Sequence, residues 1–145
     1  MATERLPGFD RLVAISTEDE HRARLASAEA RYLIGRSPEG ASRGFALLEG
    51  VSDRHEGVKL RRIAVVEPGR GFGRPFTAAV IDWTFTQTGT DRLWLDVFAD
   101  NDRARHVYRS LGFREDGLLR QAYLRGGERV DRVLMSILRD EWRSE

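Results

Sequence analysis

Leu60-Arg-Arg-Ile63-Ala64-Val65-Val66-Glu-Pro68-Gly69-Arg70-Gly71-Phe72-Gly73-Arg74-Pro75-Phe76 reads as a strand, a turn and the start of a helix. Ile63 to Val66 form a short apolar run rich in β-branched residues, which predicts a strand buried on both faces. Three glycines, Gly69, Gly71 and Gly73, then alternate with Arg70, Phe72 and Arg74. Glycine lets the backbone approach a ligand and reach positive φ. From Phe76 to about Phe85 the apolar residues Phe76, Val80 and Trp83 recur at helical spacing. Pro75 suits a first helical turn, where its missing N–H removes no helical bond. The first amides of a helix have no internal partner and point into the preceding turn, so this unit is suited to hold an anion.

The anion is not a Mg-nucleotide of the Walker A kind, because Gly73 is followed by Arg74-Pro75 and not by Lys-Ser/Thr. The dinucleotide pattern Gly-x-Gly-x-x-Gly fails as well, with Phe76 where its last glycine belongs. A second stretch narrows the choice: Leu93-Trp94-Leu95-Asp96-Val97-Phe98-Ala99-Asp100-Asn101, then Asp102-Arg-Ala104-Arg-His106-Val107-Tyr108-Arg-Ser-Leu111-Gly112-Phe113. It reads as a strand in which Leu93, Leu95 and Val97 face away from Trp94, Asp96 and Phe98. Asn101 or Asp102 then caps a helix that Gly112 ends.

Together the two stretches resemble the GNAT superfamily of acetyl-CoA-dependent N-acetyltransferases. Arg70-Gly71-Phe72-Gly73-Arg74 is similar to its pyrophosphate loop. Leu-Trp-Leu-Asp-Val, Asn101, Ala104, Tyr108 and Leu-Gly-Phe resemble its second motif, in the spacing of the ribosomal-protein N-terminal acetyltransferases. The similarity covers about residues 43 to 138. It departs from the family at Pro68, where Arg or Gln is usual, and in a strand-to-loop connection about two residues short.

The resemblance implies an α/β fold of the α+β type: one domain over residues 1–145, with a mixed, mostly antiparallel sheet, splayed central strands and flanking helices. It implies acetyl-CoA as cosubstrate and transfer of its acetyl group to a primary amine by direct attack. A small-molecule or peptide amine is then the partner, and a homodimer is left open. Tyr108 is expected as general acid toward the leaving thiolate, its phenol being protonated at neutral pH. The alternative for Tyr108 is a core tyrosine on a helix face. Asp96 falls where the ribosomal-protein enzymes carry a glutamate proposed as base, and its shorter side chain favours a water relay. Its alternative is a carboxylate paired to one of the many arginines.

Arg70 and Arg74 are expected at the phosphates, against the alternative of solvated arginines, with Gly71, Phe72 and Gly73 as the loop between them. Ile63, Ala64 and Val65 are expected to offer backbone groups to pantetheine as an added strand would. Asn101 is expected to bond pantetheine, to cap its helix, or both. Asp131 and Arg120 could face the acceptor, with nothing to lift them above surface charges. Two readings rival the enzyme: a GNAT-fold module that binds or senses CoA without turnover, and a nucleotide-binding α/β domain.

Composition agrees with a globular domain, with 41% apolar and 32% charged residues among 145. A net charge of +1, with acids and arginines interleaved, argues against general nucleic-acid affinity. There is no cysteine, hence no disulfide framework, thiolate metal site or cysteine acyl-enzyme. His21, His55 and His106 have no metal spacing, and no metal is expected. No apolar run approaches a spanning helix and no signal core is seen, so the cytoplasm is expected and a membrane is not. Residues 1 to 30 read as a vestigial strand at 2 to 6, an apolar patch at Leu12 to Ile15 and a helix from Ser16 to about Ala28. Hairpin strands at Tyr32–Ile34 and Phe45–Leu48, and a final pair at Leu118–Leu124 and Arg132–Leu138, complete the sheet.

Overall fold

The computed structural model describes residues 11–15, 30–36, 40, 42–51, 55–65 and 71–142. The expected strand at 2 to 6, the helix from Ser16 to Ala28, Pro68 and Arg70 lie outside the described residues.

Among the described residues seven strands form one sheet, in the order β1-β2-β3-β4-β5-β7-β6. They are β1 (Arg11–Ile15), β2 (Ala30–Arg36), β3 (Ser42–Glu49), β4 (Val58–Val65), β5 (Arg92–Phe98), β6 (Arg114–Arg125) and β7 (Glu128–Leu138). Helix α1 (Gly73–Gln87) joins β4 to β5, and α2 (Asp102–Ser110) joins β5 to β6. Every pairing is antiparallel except β4 with β5. That parallel contact holds only Val58↔Leu93 and Lys59↔Trp94. Beyond Lys59 the two strands part, which is the expected splay.

The core lies between α1 and one face of the sheet. Phe76, Val80 and Ile81 of α1 are fully buried with Val58 and Leu60 of β4, Leu93 and Leu95 of β5, and Met135 and Ile137 of β7. The alternation foreseen for β5 is present: Leu93, Leu95 and Val97 are buried, and Trp94, Asp96 and Phe98 are half-buried on the opposite face. The C-terminal carbonyls of α1 are met from far along the chain. Arg139 donates to Phe85 O at 2.8 Å, Thr88 O at 3.0 Å and Thr90 O at 2.7 Å. A cation at this end also complements the helix dipole.

The strand at Ile63–Val66 differs from expectation. The described part, Ile63 to Val65, is not buried on both faces: Ile63 and Val65 are half-buried and Ala64 is exposed. One edge pairs with β3 and the other borders the gap to β5. An apolar, β-branched run therefore marks a cleft wall here and not a sandwiched strand.

In the last hairpin the register shifts between Leu119 and Tyr123. Gln121 takes φ of 52° in that bulge, and its amide donates to Asp131 Oδ1 at 2.7 Å. Asp131, a candidate for facing the acceptor, thus holds the bulge. Beyond it the Tyr123 ring meets Phe98 edge-on, centroids 5.1 Å apart. Among the described residues, no helix is long and apolar enough to cross a membrane.

Candidate active site

A cleft of about 460 Å³ opens where β4 and β5 separate, lined by Ile63, Ala64, Val65, Gly71, Gly73, Arg74, Thr77, Asn101, Arg103, Ala104, Val107 and Tyr108. Its volume is in the range of small-molecule sites. Most residues singled out from the sequence meet there: the β4 run, the two loop glycines, Arg74, Asn101 and Tyr108.

The floor is the N-terminus of α1. Phe72 is its N-cap but makes no side-chain capping bond, and the first turn carries no acid. No side chain of the first turn therefore compensates the positive end of the helix dipole, which is suited to negative charge. Gly71 has φ of +83°, a conformation in which any side chain would be strained. A Cβ added at Gly73 would meet no heavy atom within 4 Å, so the space beside it is open for a ligand. Thr77 Oγ1 turns back onto Gly73 O at 2.7 Å.

Arg74 spans the cleft floor to α2, with Nε donating to Ser110 Oγ at 3.1 Å and Nη2 to Ser110 O at 3.3 Å. Phe72 does not line the cleft. Its ring carries the Arg43 guanidinium, 5.3 Å from the centroid.

The opposite wall is α2. Asn101 Oδ1 accepts the Ala104 amide at 3.1 Å, so capping, one of its two expected roles, is present. One turn later come Val107 and Tyr108. Burial pushes the Tyr108 phenol above the ordinary tyrosine value near 10, because an ionised phenolate is poorly solvated there. At neutral pH the hydroxyl keeps its proton.

Asp96 is not in the cleft lining. It stands on the other face of β5, between Trp94 and Phe98, and both its oxygens are engaged. Arg132 Nη2 donates to Oδ1, and Lys59 Nζ lies 3.6 Å from Oδ2. The Lys59 ammonium also sits 4.9 Å from the Trp94 ring centroid. The Arg132 guanidinium lies 5.3 Å from the Phe98 centroid and 5.0 Å from that of Tyr123. The arginine pairing weighed for Asp96 is therefore real, and a lysine joins it.

Sequence reasoning missed Thr77, Arg103 and Val107 in the cleft, and Lys59 and Arg132 on Asp96. Thr77 follows Gly73 by one helical turn, and Arg103 and Val107, four apart, adjoin Ala104 and Tyr108 on the cleft side of α2, so helical spacing could have found them. Arg132 lies 36 residues from Asp96, and no local pattern points to it. His106 is exposed on α2. Among the described residues no group of three or more His, Cys, Asp or Glu side chains could hold a metal ion.

Comparison with known proteins identifies the family. Residues 9–114 match the family model described as an acetyltransferase (GNAT) domain. The spermidine N(1)-acetyltransferase of Vibrio cholerae is 27% identical over 140 residues, covering 96% of this chain and 78% of that protein. Its namesake in Escherichia coli is 25% identical, and the chain spans 63% of its length. The ribosomal protein bS18-alanine N-acetyltransferase of Escherichia coli is 34% identical over 111 residues, covering 74% of this chain and 72% of that protein. Among solved structures, the Vibrio cholerae spermidine N-acetyltransferase with CoA and spermine superposes with a TM-score of 0.77 at 22% identity, covering 88% of this chain and 78% of that one. The chain belongs to the GNAT acetyltransferase family.

Proposed function

We propose that this protein transfers the acetyl group of acetyl-CoA to a primary amine by direct attack, with Tyr108 as general acid. The observation that carries the reading is a protonated, half-buried phenol lining the same cleft as the N-terminus of α1 and the free edge of β4. The gap-facing backbone of Ile63, Ala64 and Val65 suits the amides of a pantetheine arm. Gly71, Gly73, Arg74 and the first amides of α1 suit its pyrophosphate. Phe72 supports the loop from behind, and Asn101 fixes the facing helix.

In the reaction the amine lone pair attacks the thioester carbonyl carbon. For the lone pair to be free, the ammonium first gives one proton toward Asp96 through a water. A C–N bond then forms, the C–S bond breaks, the thiolate takes the proton of the Tyr108 hydroxyl, and the second proton shed by the acylated nitrogen restores that hydroxyl. Since Lys59 and Arg132 hold both Asp96 oxygens, the transfer to Asp96 requires one of these pairs to loosen. The relatives named above acetylate, by name, spermidine or a ribosomal-protein alanine. The chemistry they share is a primary amine, and the proposal takes that class and no narrower one. CoA release on incubation with acetyl-CoA and a panel of amines tests the reading. Amine-dependent release supports it, whereas tight acetyl-CoA binding with no release for any amine makes the protein a CoA-binding module.

A further inference from the structure

Strand register puts one set of charges on the sheet face opposite α1. Lys59 pairs with Trp94, Phe98 with Arg132, Glu49 with Lys59, and Leu47 with Arg62. Lys59, Arg62, Trp94, Asp96, Phe98 and Arg132 therefore share that face beside the opening between β4 and β5.

Among the described residues the charges there do not balance. Glu49 takes Arg61 at 3.8 Å and Asp116 takes Arg92 at 3.3 Å. Asp96 alone serves both Lys59 and Arg132, and Arg62, exposed, has no acidic partner among the described residues. Hydrogen bonding is unbalanced in the same direction. Three buried side-chain polar atoms lack a partner among the described residues, and all three are N–H donors: Arg43 Nε, Trp94 Nε1 and Arg132 Nε. Two of them flank Asp96. Buried donors are nearly always satisfied, so such a pair indicates an acceptor group that comes from elsewhere.

Resting on the acetyltransferase reading, we propose that the acceptor is a zwitterionic amine, carrying a carboxylate a few bonds from the reacting nitrogen, and that Arg132 and Trp94 receive this carboxylate. The ammonium of the same molecule then meets Asp96. A carboxylate on Arg132 brings a second anion to the Lys59–Asp96–Arg132 trio, so Asp96 is no longer the sole counter-ion of two cations. Binding thereby loosens the pairs that otherwise occupy the proton acceptor. A polycation such as spermidine brings only positive charge toward Lys59, Arg62 and Arg132, and like charges repel.

The test is steady-state CoA release by the full chain at saturating acetyl-CoA. The acceptors are the twenty amino acids, their methyl esters, the matching amines without a carboxylate, and spermidine and spermine. For at least one amino acid, kcat/KM is expected to exceed that of its ester by roughly 10- to 100-fold, the worth of a charge-assisted hydrogen bond. Trp94→Phe deletes the indole N–H at nearly constant shape, and Arg132→Lys keeps a cation for Asp96 while deleting Nε. Each is expected to bring the acid-to-ester ratio toward unity. Esters or polyamines equal to the acids, an undiminished ratio in both variants, or acetyl-CoA binding without turnover of any amino acid would each overturn the inference. Absence of acetyl-CoA binding in a thermal-shift assay would instead overturn the acetyltransferase reading on which it rests.

Discussion

The ring of Tyr108 stands edge-on to that of Phe113, centroids 5.6 Å apart and planes at 61°. The Phe113 amide also donates to the Tyr108 carbonyl at 3.0 Å. The turn after α2 thus braces the phenol from behind, which is how a tyrosine is held at one point of a cleft. Tyr108→Phe keeps this packing and removes only the hydroxyl. Turnover is expected to fall by about 10²- to 10⁴-fold, with acetyl-CoA affinity little changed. Wild-type turnover in the variant would assign the proton to water instead.

Ionisation of the same phenol sets an alkaline limit. Burial holds its proton beyond the ordinary value near 10. Activity that needs the protonated form is therefore retained through neutral pH and lost as pH rises through the raised value. Stability carries the same sign: the contribution is fully present below about 10 and declines above it, where the unfolded chain ionises first. Urea unfolding of wild type and Tyr108→Phe should give a constant difference below pH 10 and a shift against wild type above it.

Asp96 is checked by the acidic limb of the turnover profile. If it takes the ammonium proton, Asp96→Asn removes that limb and lowers the rate, while Asp96→Glu retains much of it. An unchanged limb in Asp96→Asn would leave Asp96 as the counter-ion of Lys59 and Arg132 alone.

Gly73→Val separates folding from cofactor binding, because a Cβ there meets nothing within 4 Å and projects into open space. The variant is expected to fold and to lose the stabilisation that acetyl-CoA gives wild type, about 2.7 kcal/mol at 100 times the dissociation constant. A thermal-shift titration of both proteins decides this, with ATP and NAD as controls that should not stabilise wild type.

Arg139→Ala should destabilise the protein without touching the cleft. It strips donors from Phe85, Thr88 and Thr90 carbonyls, at a cost of about 2 kcal/mol in urea unfolding. Because the residue is far from the reacting groups, kcat of the folded variant is expected to remain that of wild type.

Much of the site was legible because its parts lie close along the chain. Asn101, Ala104 and Tyr108 fall on one short helix and Asp96 on the strand before it, so the family resemblance could be carried onto them; alternation set Asp96 with Trp94 and Phe98 but did not tell which face meets the thioester. The β4 run was misjudged for a physical reason. Apolar, β-branched residues suit a strand under a second layer and a strand beside a ligand cleft equally well, and composition does not distinguish the two. The partners of Asp96 were not legible at all. Lys59 and Arg132 come from strands on either side of β5, and only the sheet order β4-β5-β7 brings them to one carboxylate. Arg139 is similar, reaching a helix end 54 residues earlier in the chain.

The two residue pairs that join β4 to β5 have a mechanical consequence. The sheet is an antiparallel meander, β1–β4, and an antiparallel group in the order β5-β7-β6, stitched at one short seam and backed by α1. Few backbone bonds resist a wedge-like breathing of one half against the other, which makes it a low-cost sub-global opening. Anything that lies along β4 and also touches α2 works as a clasp across that seam. Amide hydrogen exchange should then slow together in Ile63–Val65 and in Leu95–Phe98, on opposite sides of the wedge, when the clasp closes.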